Sequence, residues 1–169
     1  MMDLKIIDDV LDREFLKDLE YPLTIEKPWF FGYDQDYDET RRLTLGQITP
    51  RDSFGDVEKY LLSRIESQGI DTRRVSRCYY NCFRKGDAPR YHTDPFGHTY
   101  MFYLNKEWSK LWGAPTKFKK EKYHIPKLIF PKPGRLVIFD AKIWHKGTAP
   151  NIFMPNINAG RLSIAFHER

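Results

Sequence analysis

Cysteine is almost absent from this chain, long apolar runs and repeats are absent altogether, and each shortage removes a class of protein. Cys78 and Cys82 are the only cysteines in 169 residues. Four positions apart in one extended strand, their α-carbons would stand about 13 Å from each other, beyond the roughly 7 Å that a disulfide tolerates. Both are expected to be free buried thiols. No stretch reaches the run of about 18 apolar residues that a membrane-spanning helix needs. The amino terminus, Met1-Met2-Asp3-Leu4-Lys5, has no apolar centre of the kind a signal peptide carries. The expectation is a soluble, cytoplasmic protein with no membrane contact. No internal repeat or low-complexity tract appears, so the chain reads as a succession of ordinary elements.

What is present suffices for one folded unit. A length of 169 residues, 41% hydrophobic and 15% aromatic, fits a single domain over residues 1–169 that buries a core without covalent staples. The net charge of +5 and isoelectric point near 9.1 allow an anionic partner, but are read here as the mark of a lysine-rich surface.

The first 72 residues read as mostly helical scaffold and loops. Leu4 to Ile7 is a short strand, after which Asp8 or Asp9 caps a helix carrying Leu11, Phe15 and Leu19 on one face. Residues 29–37 mix aromatics, a glycine and acids without a period, which marks a loop, either a connection with a partly buried aromatic cluster or a rim over a site. Ser53 begins a second helix with Phe54, Val57, Leu61 and Ile65 on its apolar stripe, and Gly69 stops it. Two such helices are enough to cover one face of a sheet.

From Arg74 the character changes to aromatic and β-branched runs divided by turn residues, the pattern of successive strands. Val75 to Phe83 is one strand. Gly86, Asp87, Ala88 and Pro89 turn the chain into another, bearing His92 and Asp94, which Pro95, Phe96 and Gly97 break. Residues 100–104 are apolar on both faces, as an interior strand should be. A polar turn over 105–110 follows, then Gly113-Ala114-Pro115 and a short strand over 116–118. Lys117, Lys119, Lys120, Lys122 and Lys127 crowd this region and are read as a solvated loop, with a patch for an acidic substrate as the alternative. Pro133-Gly134 has the residues of a type II turn, fixed φ first and positive φ second, and feeds a β-prone run over 135–140.

Two spacings carry chemistry. In an extended strand His92 and Asp94 of Tyr91-His92-Thr93-Asp94 share a face, about 6.6 Å apart. Alone, His-x-Asp is a weak signal. Joined by His145 from a neighbouring strand, the pair offers two imidazoles and a carboxylate to one side of a metal ion and leaves three positions open, which suits Fe(II), O2 and a chelating cosubstrate. The last strand, 161–166, alternates with period 2, so Leu162, Ile164 and Phe166 face one way and Arg161, Ser163 and Ala165 the other. A buried guanidinium needs an anionic partner, and no carboxylate in this segment supplies it. A dicarboxylic cosubstrate held bidentately would.

These residues resemble the Fe(II)/2-oxoglutarate-dependent dioxygenases, and within them the prolyl-4-hydroxylase-like branch. The resemblance runs, in the family's order, through His92-x-Asp94, Tyr103-Leu104-Asn105 with Trp108, the run from Pro133 to Phe139, His145, and Arg161-Leu162-Ser163. It implies a mainly β fold with flanking helices and a double-stranded β-helix (jelly-roll) core, residues 73–169 forming most of the barrel. By the same resemblance His92, Asp94 and His145 are the metal ligands, and Arg161, Tyr103 and Ser163 bind the cosubstrate. Tyr79 and Trp144 are accessory residues. The implied cofactors are Fe(II), 2-oxoglutarate and O2, with ascorbate alongside. The implied reaction is hydroxylation of a C–H bond coupled to release of succinate and CO2. Three departures stand out. Phe83 occupies the place, nine before His92, where much of the family has a tyrosine, so one cosubstrate hydrogen bond is either missing or made by Tyr79 on the same strand face. His145 and Arg161 stand 16 positions apart, a wider gap than the family's usual one, filled by an enlarged loop over 151–160. Gly113-Ala114 replaces a glycine pair.

The leading substrate reading is a prolyl residue in a peptide or protein lying between the segments 29–38 and 151–160. Trp144 and the aromatics of 29–37 would form a dry wall. A free amino acid or small-metabolite hydroxylase is the alternative. A nucleic-acid demethylase of the same superfamily would carry a second arginine six residues after Arg161, where this chain has His167, so nucleic acid is not the expected partner. A cupin-like, non-catalytic metal-binding protein would not need Arg161 in the pocket. His98, His124 and His167 read as surface or rim residues.

Overall fold

The computed structural model describes residues 4–21, 23, 30–31, 45–87, 89–120, 124–155 and 160–169. In chain order the described elements are β1 (Leu4–Ile7), α1 (Arg13–Tyr21), β2 (Phe30–Phe31), β3 (Leu45–Pro50), α2 (Asp56–Glu66), β4 (Val75–Phe83), β5 (His98–Tyr103), β6 (Thr116–Lys119), β7 (Lys127–Ile129), β8 (Leu136–Asp140), β9 (Trp144–Lys146) and β10 (Arg161–Glu168). Seven strands form one sheet in the order β1-β8-β5-β10-β4-β3-β2, and β7-β6-β9 form a second. Every pairing is antiparallel. Sheet neighbours are mostly distant in the chain, which is the wrapped order of a jelly roll.

Period-2 alternation in the central strands divides the interior into two cores. On one face of the large sheet, Cys78, Tyr80, Cys82, Tyr100, Phe102, Leu136, Ile138, Leu162, Ile164 and Phe166 meet Leu16 and Leu19 of α1 and Leu61, Leu62 and Ile65 of α2. Leu61 and Ile65 are fully buried, and each such side chain stabilises the fold by about 1.5–3 kcal/mol. On the other face Met101, Tyr103, Val137, Phe139 and Ala165 pack against Phe118 and Ile129 of the small sheet. The helices therefore close one side of the large sheet, and the functional residues collect on the other. Both cysteines are free and buried, and burial pushes the Cys82 thiol up to about 11.

Both helices start later than the sequence reading expects. Asp12, not Asp8 or Asp9, caps α1, its Oδ1 accepting the Phe15 amide at 2.7 Å, so Leu11 lies outside the helix. Asp8 is instead bound by Arg135 Nε at 2.6 Å and Lys132 at 3.2 Å, a guanidinium fork being a stronger partner than an exposed amide. Helix α2 starts at Asp56 rather than Ser53. Its first turn is closed by Glu58, whose Oε2 accepts the Gly55 amide at 2.9 Å while Oε1 accepts the buried Tyr80 hydroxyl at 2.5 Å. A carboxylate satisfied at both oxygens is tolerated in a core, and this one ties α2 to β4. Strand β3 was not anticipated, and residues 30–31 form β2 where a loop was expected. The remainder of the 29–38 segment lies outside the described residues.

The expected turn at Pro133-Gly134 is present. The Arg135 amide donates to the Lys132 carbonyl at 3.1 Å, and Gly134 has φ +68. A Cβ added there would sit 2.5 Å from the Leu11 carbonyl oxygen. Gly134→Ala is expected to destabilise the protein by more than about 1 kcal/mol, since both the positive φ and the close backbone oppose it. Urea denaturation of the two proteins side by side checks this.

Candidate metal centre

The segment carrying His92 and Asp94 is not the regular strand that alternation suggested. Pro89 and Pro95 bracket it, and neither can donate to a ladder, so only isolated contacts form. His92 makes a two-way bridge with His145, its amide reaching the His145 carbonyl at 3.0 Å and the return bond measuring 2.9 Å. Asp94 is pinned separately, its amide donating to the Ala141 carbonyl at 2.8 Å. Two backbone anchors therefore do what strand alternation was expected to do.

The result brings one ligand atom each of His92, Asp94 and His145 within 4.8 Å of one another. His92 Nε2 lies 4.0 Å from Asp94 Oδ1, and His145 Nε2 lies 3.5 Å from Asp94 Oδ2. Each imidazole has its other nitrogen against a backbone carbonyl, His145 Nδ1 at 2.9 Å from Ile143 and His92 Nδ1 at 3.2 Å from Arg90. A carbonyl only accepts, so the ring hydrogen belongs on Nδ1 and the Nε2 lone pair is left for a metal. Burial pushes the His145 imidazole down to about 4, which keeps it uncharged near neutrality. Burial works to raise the Asp94 carboxyl, but its polar contacts with His167 and Thr99 outweigh it and hold the group well below the usual carboxylate range. Two lone pairs and an ionised carboxylate converging in this way fit a divalent cation. The His92 side chain is 56% exposed while those of Asp94 and His145 are 9% exposed, so the site opens on the His92 side.

The wall behind His145 is made by Phe118 and Phe139, with ring centres 6.0 and 4.7 Å from the imidazole. Trp144 is not part of it. Alternation along β9 turns Trp144 away from His145, and it is 43% exposed.

Deeper on the same face of the large sheet sits Arg161, 1% exposed. Its guanidinium lies between the rings of Phe83 and Tyr103, 5.0 and 4.9 Å from their centres. Nη2 donates to Thr116 Oγ1 at 2.6 Å, whereas Nε and Nη1 have no partner among the described residues. The space beside Nη1 exists because residue 147 is glycine, since a Cβ there would come within 2.5 Å of that nitrogen. Two unmet donors of a buried cation, next to a cradle that a side chain would fill, fit a carboxylate group of a small ligand. Ser163 is buried on the same face, opposite Tyr103 and Asn81 in the neighbouring strands. The Tyr103 hydroxyl donates to the Ile129 carbonyl at 2.9 Å and lies 2.8 Å from Thr116 Oγ1, so the Thr116 hydrogen points to Tyr103. Tyr79 does share the Arg161 face, but four residues along β4 it packs edge-on against His167 at 4.8 Å rather than beside the guanidinium.

Three residues here escaped the sequence reading. Thr116 joins Arg161 to Tyr103, and its inward direction was implied by its alternation with Lys117 and Lys119. Thr99 donates to Asp94 Oδ2 at 2.5 Å. His167, read as a rim residue, is 6% exposed, with Nδ1 3.4 Å from Asp94 Oδ2. One further step of the β10 alternation would have placed it inside. His98 and His124 are exposed as expected. Lys117 and Lys119 lie on the outer face of β6, Lys127 is exposed, and Lys122 lies outside the described residues. Asp94→Ala is expected to abolish tight Mn(II) binding measured by titration calorimetry while leaving a cooperative thermal transition, because the carboxylate contributes ligation rather than core packing.

No protein-family model matches the sequence, and no curated protein sequence matches it. Solved structures do. A Pseudomonas putida prolyl-4-hydroxylase superposes with a TM-score of 0.73 at 18% identity, over 100% of this chain and 94% of that one. A Trichoplax adhaerens prolyl hydroxylase, in complex with a peptide fragment of the hypoxia inducible factor oxygen degradation domain, gives 0.69 at 17% identity over 98% and 83%. A 2OG-Fe(II) oxygenase family protein from Burkholderia pseudomallei gives 0.65 at 13% identity over 96% and 83%. From end to end, the chain has the jelly-roll fold of the 2-oxoglutarate–Fe(II) oxygenases, prolyl-4-hydroxylases among them.

Proposed function

We propose that this protein is an Fe(II)- and 2-oxoglutarate-dependent dioxygenase that hydroxylates a prolyl residue in a peptide or protein. The observation that carries the enzyme class is the pairing, on one face of one sheet, of the His92/Asp94/His145 cluster with a buried Arg161 whose Nε and Nη1 have no partner among the described residues. A metal site alone does not require that cation. A cosubstrate with a metal-binding end and a distal carboxylate requires both.

In this reading His92, His145 and Asp94 hold Fe(II). When bound with 2-oxoglutarate and O2, it supplies oxidative decarboxylation to succinate and CO2 coupled to hydroxylation of a C–H bond. Arg161 pairs with the distal carboxylate, and Thr116 and Tyr103 fix the guanidinium plane. Phe118, Phe139, Met101 and Val137 keep water from the inner side. The exposed side of His92 is the approach for the substrate.

The peptide is supported by two features. One fold relative was solved with a peptide bound, and among the described residues β2 is the edge strand of the large sheet, a place where an extended segment can add as a strand. Of the 151–160 loop, residues 151–155 carry the exposed Ile152 and Phe153, while 156–159 lie outside the described residues. No described helix is long and apolar enough to cross a membrane.

Arg161→Ala is expected to weaken 2-oxoglutarate binding by about 100-fold or more, the order of the 3–5 kcal/mol cost of leaving one member of a buried ion pair alone. Mn(II) affinity should change little. Calorimetry with each ligand checks the split, and unchanged cosubstrate affinity would place the anion site elsewhere. For the substrate, a panel of proline-containing peptides incubated with Fe(II) and 2-oxoglutarate should show a gain of one oxygen by mass spectrometry together with succinate release, with free L-proline a poor substrate. Turnover of free proline and of no peptide would replace this reading with the small-metabolite one.

A further inference from the structure

We propose that His167 is a positioning residue of the metal centre. With Thr99 it packs against Asp94 Oδ2, fixing the rotation of the carboxylate so that Oδ1 stays open to the cation. The proposal rests on the metal reading above and adds to it a residue outside the ligand set.

Asp94 has two oxygens, and the fold treats them differently. Oδ2 accepts from Thr99 Oγ1 at 2.5 Å and lies 3.4 Å from His167 Nδ1 and 3.5 Å from His145 Nε2. The same His167 nitrogen is 3.4 Å from Thr99 Oγ1, so the three groups form a closed triangle. Among the described residues, Oδ1 accepts no hydrogen bond. A carboxylate free to rotate can chelate a cation through both oxygens and take up a position that a cosubstrate needs. One whose second oxygen accepts from Thr99, with His167 Nδ1 closing on both groups, is held against that rotation, and such outer partners tune ligand geometry and affinity.

The backbone is built to bring His167 there. It sits opposite Thr99 in the β5 register, on the face that carries Arg161, Ser163 and Ala165. Immediately after it the pairing of β10 with β4 slips, between His167 and Glu168. A bulge re-aims neighbouring side chains, and here both consecutive residues are buried, each at 6% exposure. His167 reaches the Asp94 carboxylate. Glu168 reaches the segment that follows Asp94, accepting the His98 amide at 2.9 Å and the Tyr100 hydroxyl at 2.6 Å. Gly97 lies so close that an added Cβ would meet Glu168 Oε2 at 2.1 Å. The end of β10 thus fixes Asp94 twice, by its side chain and by the chain beyond it. Tyr79, edge-on at 4.8 Å, holds the imidazole from the other side. A histidine buried only to fill space would not need its Nδ1 directed at the one carboxylate of the centre.

The test compares His167→Leu, which removes the donor, with His167→Asn, whose amide nitrogen takes the place of Nδ1. Mn(II) titration calorimetry is run on the full chain and both variants, with thermal melting in the absence of metal. His167→Leu is expected to weaken Mn(II) binding about 10- to 100-fold, the range for loss of an outer partner, and His167→Asn to recover most of that loss, with similar metal-free melting temperatures for the two. Equal affinity of His167→Leu and the unaltered protein overturns the proposal while leaving the ligand set standing. So does equal weakening of both variants, which would mark a packing role. If the unaltered protein binds no Mn(II) and Asp94→Ala changes nothing, the metal reading itself falls, and the proposal with it.

Discussion

The alternation of one strand governs this structure. β10 lies between β5 and β4 at the middle of the large sheet, and its side chains face two incompatible environments. Leu162, Ile164 and Phe166 enter the core under the helices. Arg161, Ser163, Ala165 and His167 enter the space between the sheets. A slip of one residue would put a guanidinium and an imidazole into the aliphatic core and three large apolar groups into the site. The cost of either exchange fixes the register, and the register then sets the distance from the anion site to the metal centre. Asn105 reinforces it at the start of the strand, its Oδ1 accepting the Leu162 amide at 2.8 Å and its Nδ2 donating to the Gly160 carbonyl at 2.9 Å.

Charge in that space is distributed so that each end lacks something. At the inner end Arg161 is stripped of water, which lowers its pKa, and among the described residues it finds one oxygen acceptor, Thr116 Oγ1. At the outer end Asp94 is held ionised beside an uncharged His145. The inner end therefore lacks an anion and the outer end a cation. A metal chelated by a dicarboxylate satisfies both deficits with one assembly, which neither ligand would do alone. Stability is given up to keep these groups poised, as expected where strained or unsatisfied groups coincide with function.

Much of this was legible in the sequence, for an identifiable reason. Signals with a short physical range came through: the alternation of β10, the apolar run of β5, the Pro133-Gly134 turn, and the absence of any carboxylate near Arg161. Signals that depend on what lies opposite did not. Glu58 looks like an ordinary exposed acid of a helical first turn until Tyr80 is known to sit over it. Asp8 looks like a cap until Arg135, far along the chain, claims it. His167 looks like a rim residue at the end of its strand until its parity with Arg161, Ser163 and Ala165 is followed one step further, to the side of Asp94. The segment around His92 meets His145 by a geometry other than the one alternation suggests: an isolated bridge and a single backbone bond, not a strand, bring His92, Asp94 and His145 together.

The departure at Phe83 shows how the site accommodates a lost hydroxyl. Phe83 lies directly opposite Arg161 in register and places a ring face against the guanidinium, while Tyr103 places another on it. Two aromatic faces hold the plane of the cation without consuming its donors. Because Arg161 Nη2 donates to Thr116, Thr116 to Tyr103 and Tyr103 to the Ile129 carbonyl, the hydrogens of this chain run away from the guanidinium and end on the backbone of β7. Nothing in it competes for Nε and Nη1. The residues nearest the cation thus fix its orientation and leave Nε and Nη1, which point along different edges of the guanidinium, open to an anionic group.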